Sequence, residues 1–397
     1  MGQARVVVTG DVHIDHTRHS RLRPGDGRPS SWESSWRVWQ WICQQAVELE
    51  ADAVVLAGDA YVNGWPRPEA GEMLADGARL LSAAKVPLVV FDGNHEYINR
   101  PYGHRSPLER LADIEHVRVV REPDVVVIGD GLQIACLPWP RRTMLVDPAS
   151  ADGLSPDEVD ELVAGRAAEL VEQLAGRVDP GRGPAMLAAH ATVGDAVVGS
   201  DRRGSELSLA QLFCEPTLAL ADVELDAFQH VALAHIHRRQ QLGERTWYVG
   251  SPDRLDFSDA GVEKAASLVS IDDDGSPGAV TALATPARRF AVVTVPDGAS
   301  AADVPGLLGE LLAGAVVRAE LPAGADQRLA VEIRRSLDAA GAASVVLATP
   351  PAVRHGDRPV LSDELTPLDG LRMWLTANGY DGQDADRLMA RAAELLG

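Results

Sequence analysis

The chain has 397 residues, 46% hydrophobic and 24% charged, the proportions of a globular protein with room for two or three domains. No apolar run approaches the roughly 20 residues of a membrane span, and Met1 to Arg5 lead straight into an apolar strand without a signal peptide. A cytoplasmic protein with no membrane partner is therefore expected. The net charge of −21 argues against a protein that coats nucleic acid non-specifically, because that affinity comes from Lys and Arg neutralising phosphates. It leaves open an enzyme that brings its local positive charge as bound metal.

In chain order, apolar stretches at residues 5–9, 53–57 and 88–92 read as strands alternating with helices, the pattern of a layered α/β domain. Ser30 and Glu33 fit a capping box ahead of Trp32, Trp36, Trp39 and Cys43, whose helical spacing points to a core-facing stripe rather than a base-stacking platform. Helices are predicted at 66–81 and 107–114, each with Pro near its first turn. Their residues Met73, Leu74, Leu108 and Leu111 are expected to exceed what the core needs and to serve a dimer contact. Strands follow at 125–128 and 132–137, and then a helix at 156–175 beginning after Ser155. Two apolar runs, 184–189 and 231–234, end at His190 and His235. Cys43, Cys136 and Cys214 read as reduced core thiols, being odd in number, widely spaced and set among apolar residues.

The texture changes after Pro286. Segments 290–295, 302–312, 316–321, 327–340 and 344–348 read as strand, helix, strand, helix, strand, a small α+β unit of about 65 residues. The expected division is 1–285, 286–352, a linker at 353–363 opened by Pro350-Pro351, and a two-helix element at 364–397. That element carries Leu368, Leu371, Trp374 and Leu375 on one helix and Leu388, Met389, Ala392 and Leu395 on the next, with Asn378-Gly379 between them. Two helices alone bury too little surface to be stable, so they should dock on this chain's body or on a partner.

The chemistry concentrates in Asp11-Val12-His13, Gly58-Asp59, Gly93-Asn94-His95-Glu96, His190 and His235-Ile236-His237. Each follows a predicted strand, so all should meet at the carboxyl edge of a sheet, where α/β folds hold ligands. The donors are imidazole, carboxylate and carboxamide without thiolate, which suits manganese, iron or zinc. Seven donors over-serve one ion and suit two, about 3.5 to 4 Å apart and sharing a carboxylate. Asp59 is the natural bridge, with Asp11, His13 and His237 on one ion and Asn94, His190 and His235 on the other. His95 is then free to protonate a leaving oxygen. Glu96 is expected to orient or charge-stabilise His95, or else to be a helix-start or surface residue. His16 and His19 are expected exposed and idle rather than in contact with phosphate, the loop of His104 is expected to shape the substrate entry, and His116, His230 and His355 to be structural. The clusters Arg18, Arg21, Arg23 and Arg28, Arg141-Arg142 and Arg202-Arg203 are candidates either for a nucleic-acid path or for solvated loop charge.

The order DxH, GD, GNH[DE], H, GHxH matches the metallophosphoesterase signature, with Ala234 where the last motif usually has glycine. Within that superfamily the chain most resembles the SbcD-type nuclease subunit of bacterial double-strand-break repair complexes. The resemblance rests on residues 9–13, on Gly58-Asp59-Ala60-Tyr61, on residues 93–96, and on Tyr248-Val249-Gly250-Ser251-Pro252 with Asp256-Phe257 and Lys264. It implies a metallophosphoesterase β-sandwich flanked by helices, with an α+β capping domain and a C-terminal helical pair. It further implies two manganese ions, 3′-to-5′ exonuclease activity on duplex DNA, endonuclease activity on single-stranded or hairpin DNA, homodimerisation, and a coiled-coil ATPase partner of the SbcC type gripped by the terminal helices. Where some relatives carry a second phosphate-contacting His, this chain has Val62. Two other readings stand beside this one: a stand-alone phosphodiesterase for small substrates, and a catalytically silent scaffold.

Overall fold

The computed structural model describes residues 3–97, 105–194, 196, 216–272, 274–349, 368, 371–372, 375 and 382–396. His104, Arg202, Arg203, Cys214, His355, Trp374, Asn378, Gly379 and the 353–363 linker lie outside them. The strands are β1 (Ala4–Thr9), β2 (Ala53–Ala57), β3 (Leu88–Phe91), β4 (Val117–Val120), β5 (Asp124–Ile128), β6 (Leu132–Leu137), β7 (Ala185–His190), β8 (Thr192–Val193) and β9 (Thr217–Leu218). They continue with β10 (His230–Ala234), β11 (Gln240–Gln241), β12 (Thr246–Tyr248), β13 (Ala265–Ile271) and β14 (Ala279–Ala284). Among the described residues two six-stranded sheets form, in the orders β14-β13-β1-β2-β3-β4 and β11-β12-β10-β7-β6-β5, with β8 and β9 as a small separate pair. Strands β1 to β4 run parallel, as do β6, β7, β10 and β12.

The period of two along each strand explains why these runs are apolar throughout. Val6, Val8, Val55 and Phe91 point to the space between the sheets, where they meet Ile134, Cys136, Met186 and Ala232. Their neighbours Val7, Val54, Leu56 and Val90 point outward, against α1 (Ser30–Glu48) and α2 (Pro68–Ala83). On the far side Leu187, Ala189 and Leu233 pack with Val171 and Leu174 of a long helix, Pro156–Ala175. The result is a β-sandwich flanked by helices. Trp32 and Trp39 are buried in the layer under α1 with Cys43, as the stripe implied.

Several local expectations change. The long helix has the Ser155–Glu158 capping box in full, but α1 does not use one. Its N-cap is Pro29, the Ser30 hydroxyl accepts from the Arg21 amide, and Glu33 is drawn away to Arg23. Residues 107–111 form only a short 3-10 turn, opened by the Ser106 side chain. Met73, Leu74, Leu108 and Leu111, expected to be surplus for a dimer contact, are all buried in the chain's own core. Among the described residues no helix is long and apolar enough to cross a membrane.

Beyond Thr285, β15 (Phe290–Thr294), β16 (Val316–Glu320) and β17 (Ser344–Ala348) make a three-stranded parallel sheet with its own core of Val293, Leu308, Val317, Ile333, Leu337 and Val345. The helix expected over 302–312 is confined to Val304–Leu308, because Gly306 weakens it and Gly309 turns to φ 53, and a 3-10 turn at Gly309–Leu311 follows. This sheet meets the sandwich where Phe290 packs on Phe257 and Arg288 pairs with Asp253. Near the C-terminus Leu375 is buried, while Leu388, on the helix Gly382–Leu396, is 49% exposed.

At the opposite end of the sandwich from the strand tips, His230 opens β10 fully buried, with neither ring nitrogen hydrogen-bonded. Burial pushes its pKa from 6.5 down to about 3. Below pH 6.5 the unfolded chain takes up a proton that the folded chain refuses, so stability is flat above that pH and falls as pH drops toward 3. Between about pH 7.5 and 5 this residue alone should remove about 2 kcal/mol. A His230→Leu variant should lack that loss, seen as a wild-type-minus-variant stability difference that grows on acidification in urea titrations. A constant difference would contradict it.

Candidate metal centre

The carboxyl ends of β1, β2, β3, β7 and β10 converge from both sheets, and each carries one of the chemical segments. The backbone there is forced. Asp11, His13, Asp59 and His235 all have positive φ (52, 42, 50 and 101°), a region that costs a non-glycine residue about 1–3 kcal/mol. Main-chain bonds hold the strain: Asp11 and His13 amides donate to Gly58 and Asp59 carbonyls at 3.1 and 3.0 Å, and the His235 amide donates to the Asp11 carboxylate at 3.0 Å. The motif glycines are there for space. A Cβ on Gly58 would lie 2.4 Å from His190 Nδ1, and one on Gly93 2.1 Å from Asp59 Oδ1. Ala234 is accommodated the same way: a Cβ on Gly10 would come within 2.6 Å of the Ala234 methyl, so Gly10 supplies the room that a glycine at 234 usually gives.

Three imidazoles have their tautomer set by a carbonyl, which can only accept. His13 Nδ1 donates to Tyr61 O (3.1 Å), His190 Nδ1 to Ala57 O (2.8 Å) and His95 Nδ1 to Val62 O (2.7 Å). Each Nε2 lone pair therefore faces inward, the arrangement in which an outer hydrogen bond fixes a ligand ring. Asp59 Oδ2 lies 3.5, 3.8 and 3.9 Å from Nε2 of His190, His13 and His95. His13 and His237 bring their Nε2 atoms to 3.3 Å, and Asn94 Oδ1 is 3.0 Å from His190 Nε2 and 3.1 Å from His235 Nδ1. Three triads, Asp11/His13/His237, His13/Asp59/His95 and Asp59/His190/His235, each have donor atoms within 4.8 Å of one another. Lone pairs so close repel unless a proton or cation sits among them, and this nitrogen and oxygen set without thiolate fits divalent manganese, iron or zinc.

The electrostatics carry the same strain. Burial raises the Asp11 carboxyl, although His237 and His190 pull it back. For Asp59 burial is outweighed by His190, His95 and His13, which hold it well below the usual carboxylate range. Burial, then His95, lowers His13, whereas Asp59 and Asp11 overcome burial at His190 and push it up to about 9. Cations entering here would displace that proton, so loading should weaken on the acid side.

A family model described as calcineurin-like phosphoesterase matches residues 4–238, which contain all of these segments. The chain belongs to the calcineurin-like phosphoesterase family. Within that family it is similar to the SbcD subunit of the nuclease SbcCD of Escherichia coli (strain K12), at 23% identity over 275 residues, 68% of this chain and 65% of that protein. The corresponding SbcCD nuclease subunit of Rhodobacter capsulatus is 25% identical over 289 residues, 69% of this chain and 68% of that protein. The DNA double-strand break repair protein Mre11 of Archaeoglobus fulgidus is 25% identical over 113 residues, 28% of this chain and 24% of that protein. The chain thus spans just under two thirds of the length of its Escherichia coli relative.

Around this phosphoesterase centre some residues are not where the sequence suggested. Glu96 is neither on the surface nor on His95: it is fully buried, and its oxygens accept from the amides of Asp59 (2.9 Å), Gly93 (2.8 Å) and Tyr61 (2.9 Å). The partner that orients His95 is the Val62 carbonyl. His16 is buried with its Nε2 3.1 Å from Arg288, and His19 is half-buried against Phe257, so neither is idle in solvent. Arg18, Arg21 and Arg23 are engaged by Asp256, Asp338 and Glu33, and Arg142 by Asp160. Arg141 lies over Tyr97, and Arg28 is exposed.

Sequence reasoning gave no site role to Lys264 or Trp139. Lys264 is buried, pairs with Asp259, and donates to Ser251 Oγ (2.8 Å) and to the His237 carbonyl (3.2 Å), holding that loop from behind. Its signals were its place in the family-like stretch after the last motif and its being one of two lysines in an Arg-rich chain. Trp139 lies tilted against the His235 ring, 4.9 Å between centres, and shields that side of the centre. Its Trp-Pro setting after β6 gave no such hint.

Proposed function

We propose that the chain is a manganese-dependent phosphodiester hydrolase acting on DNA, a 3′-to-5′ exonuclease on duplex ends and an endonuclease on single-stranded or hairpin DNA. The observation that carries this reading is Asp59 Oδ2, which stands within 3.9 Å of three inward-facing imidazole nitrogens where strand ends of both sheets meet. Asp11, His13, His237 and Asp59 would hold one cation, and Asn94, His190, His235 and Asp59 the other. Two such cations supply charge neutralisation on the phosphate and a water acidic enough to ionise near neutral pH. The chain's own residues orient and protonate. Val62 holds the His95 ring by its Nδ1 proton and aims Nε2 into the site, so that in its doubly protonated form His95 gives the Nε2 proton to the leaving oxygen and is left with the lone pair there. His95 has a side chain 29% exposed, against 3% for His13 and 0% for His190, so of the three imidazoles around Asp59 it is the one a substrate can reach.

In this reading the 286–352 unit caps the site, and the 364–397 element grips a coiled-coil ATPase of the SbcC type in a cytoplasmic end-processing complex. A homodimer would use surface other than the internal Met73, Leu74, Leu108 and Leu111. The test is digestion of an end-labelled duplex with manganese, with and without the ATPase, beside a small aryl phosphodiester and a chelator control. Chelator-sensitive shortening of the duplex supports the reading. Turnover of the small ester with intact DNA under every condition favours the stand-alone phosphodiesterase.

His95→Asn should retain bound metal yet cleave about 100-fold more slowly, the scale of a lost general acid. Metal analysis of that variant decides the role, since loss of an ion would make His95 a ligand.

A further inference from the structure

A groove runs beside the centre, between the loop that follows Asp11-Val12-His13 and the loop that follows Asp59. Its walls include Asp15, Arg21 and Leu22 on one side and Val62, Trp65 and Arg67 on the other, with Trp32 among them. It begins at the site, because Val62 is the residue whose carbonyl orients His95. Trp65, three residues further along the same loop, lies no more than about 10 Å from Val62.

The groove's chemistry sets it apart from the rest of this acidic molecule. Trp65 is 64% exposed and Leu22 73% exposed, although both are large and apolar. The Asn63 side chain accepts from the Trp65 amide at 2.8 Å, which shapes the turn that presents the ring. Arg67 lies over the Trp32 ring, 6.0 Å from its centre, and Arg21, across from it, is already paired with Asp338. Among the described residues lining it, Asp15 is the one carboxylate, and it is buried with its oxygen on the Val62 amide. In a chain of net charge −21, a channel with the Arg67 guanidinium, an exposed indole and no open carboxylate among those lining residues is complementary to one kind of ligand. It suits a polyanion that also carries flat aromatic groups.

We infer that this groove receives a single nucleic-acid strand, with one base stacked on Trp65 and the adjoining phosphate on Arg67. The inference rests on the nuclease reading and adds to it the path of the strand and the residue that holds a base. Arg18, Arg21 and Arg23, prominent in the sequence, are left out of the path because their carboxylate partners already engage them.

The test compares the full chain with Trp65→Ala and Trp65→Phe, with manganese, on a short single-stranded oligonucleotide and on the same strand made abasic. One lost stack should raise KM for the normal strand about tenfold in the Ala variant, with Phe close to wild type. The abasic strand should give the same KM with all three proteins. If wild type cleaves oligonucleotides and Trp65→Ala does so with an unchanged KM, the inference falls and the nuclease reading stands. An equal rise on the normal and abasic strands also overturns it, because the ring would then act on something other than a base. A wild type that turns over an aryl phosphodiester but neither binds nor cuts oligonucleotides overturns both.

Discussion

Replacing Asp59 by Asn should cut phosphodiester hydrolysis by well over about 100-fold, beyond what loss of a residue that only orients a ligand costs, while the protein stays folded. Its Oδ2 lies within 3.9 Å of all three inward-facing imidazole nitrogens, and a carboxamide offers there either a neutral oxygen or a donor NH2. The fold should tolerate this, because the side chain belongs to the strand tips and not to the apolar layers under α1 or between the sheets. Its other oxygen accepts the His95 amide at 3.0 Å, a bond an Asn oxygen can keep. The same change removes the negative charge that holds His190 up to about 9, so the variant should also bind fewer protons at pH 7. Titration of manganese into wild type and Asp59→Asn, alongside turnover, checks the argument. Near-normal turnover would remove Asp59 from the centre of the chemistry.

The strand tips were legible because their chemistry is local in sequence: a β-run followed at once by Asp11, Asp59, Asn94, His190 or His235 names its own position in a parallel sheet. The sandwich itself was legible from runs such as Val6-Val7-Val8 and Val54-Val55-Leu56, which have no polar face to offer water. What escaped was whatever depends on contacts distant in sequence. Glu96 follows His95, so sequence adjacency pointed to that ring, yet its partners are the amides of Asp59 and Tyr61, some 35 residues back. Met73, Leu74, Leu108 and Leu111 looked surplus because the second layer they cover, α1, comes from another part of the chain. The capping box at Ser30 and Glu33 had the right letters, but Arg21 and Arg23 claim both side chains.

Glu96 carries the other large expected effect, on stability and metal affinity together. Its carboxylate is a hub under the site, accepting from three amides: Asp59 and Gly93 on Oε2, Tyr61 on Oε1. Those amides belong to the two glycine-containing turns that place Asp59 and Asn94, and Asp59 is one of the residues held at positive φ. Burial, and then the Asp59 and Asp92 charges, push the Glu96 pKa well up, while the Tyr61 and Gly93 amides pull the other way. Glu96→Gln keeps the shape but can present only one oxygen, so a donor NH2 must face at least one buried N–H. That mismatch should cost about 1–3 kcal/mol and weaken metal binding by about 10- to 100-fold. Glu96→Ala takes the acceptor from all three amides, and its loss of about 3 kcal/mol or more takes up a large part of an ordinary folding stability. Urea unfolding with manganese present and with chelator separates the two effects: in Glu96→Gln the midpoint should drop in both, and the extra stabilisation that manganese gives should shrink. A variant with the wild-type midpoint and wild-type metal affinity would mean that the two turns hold Asp59 and Asn94 in place without their shared carboxylate.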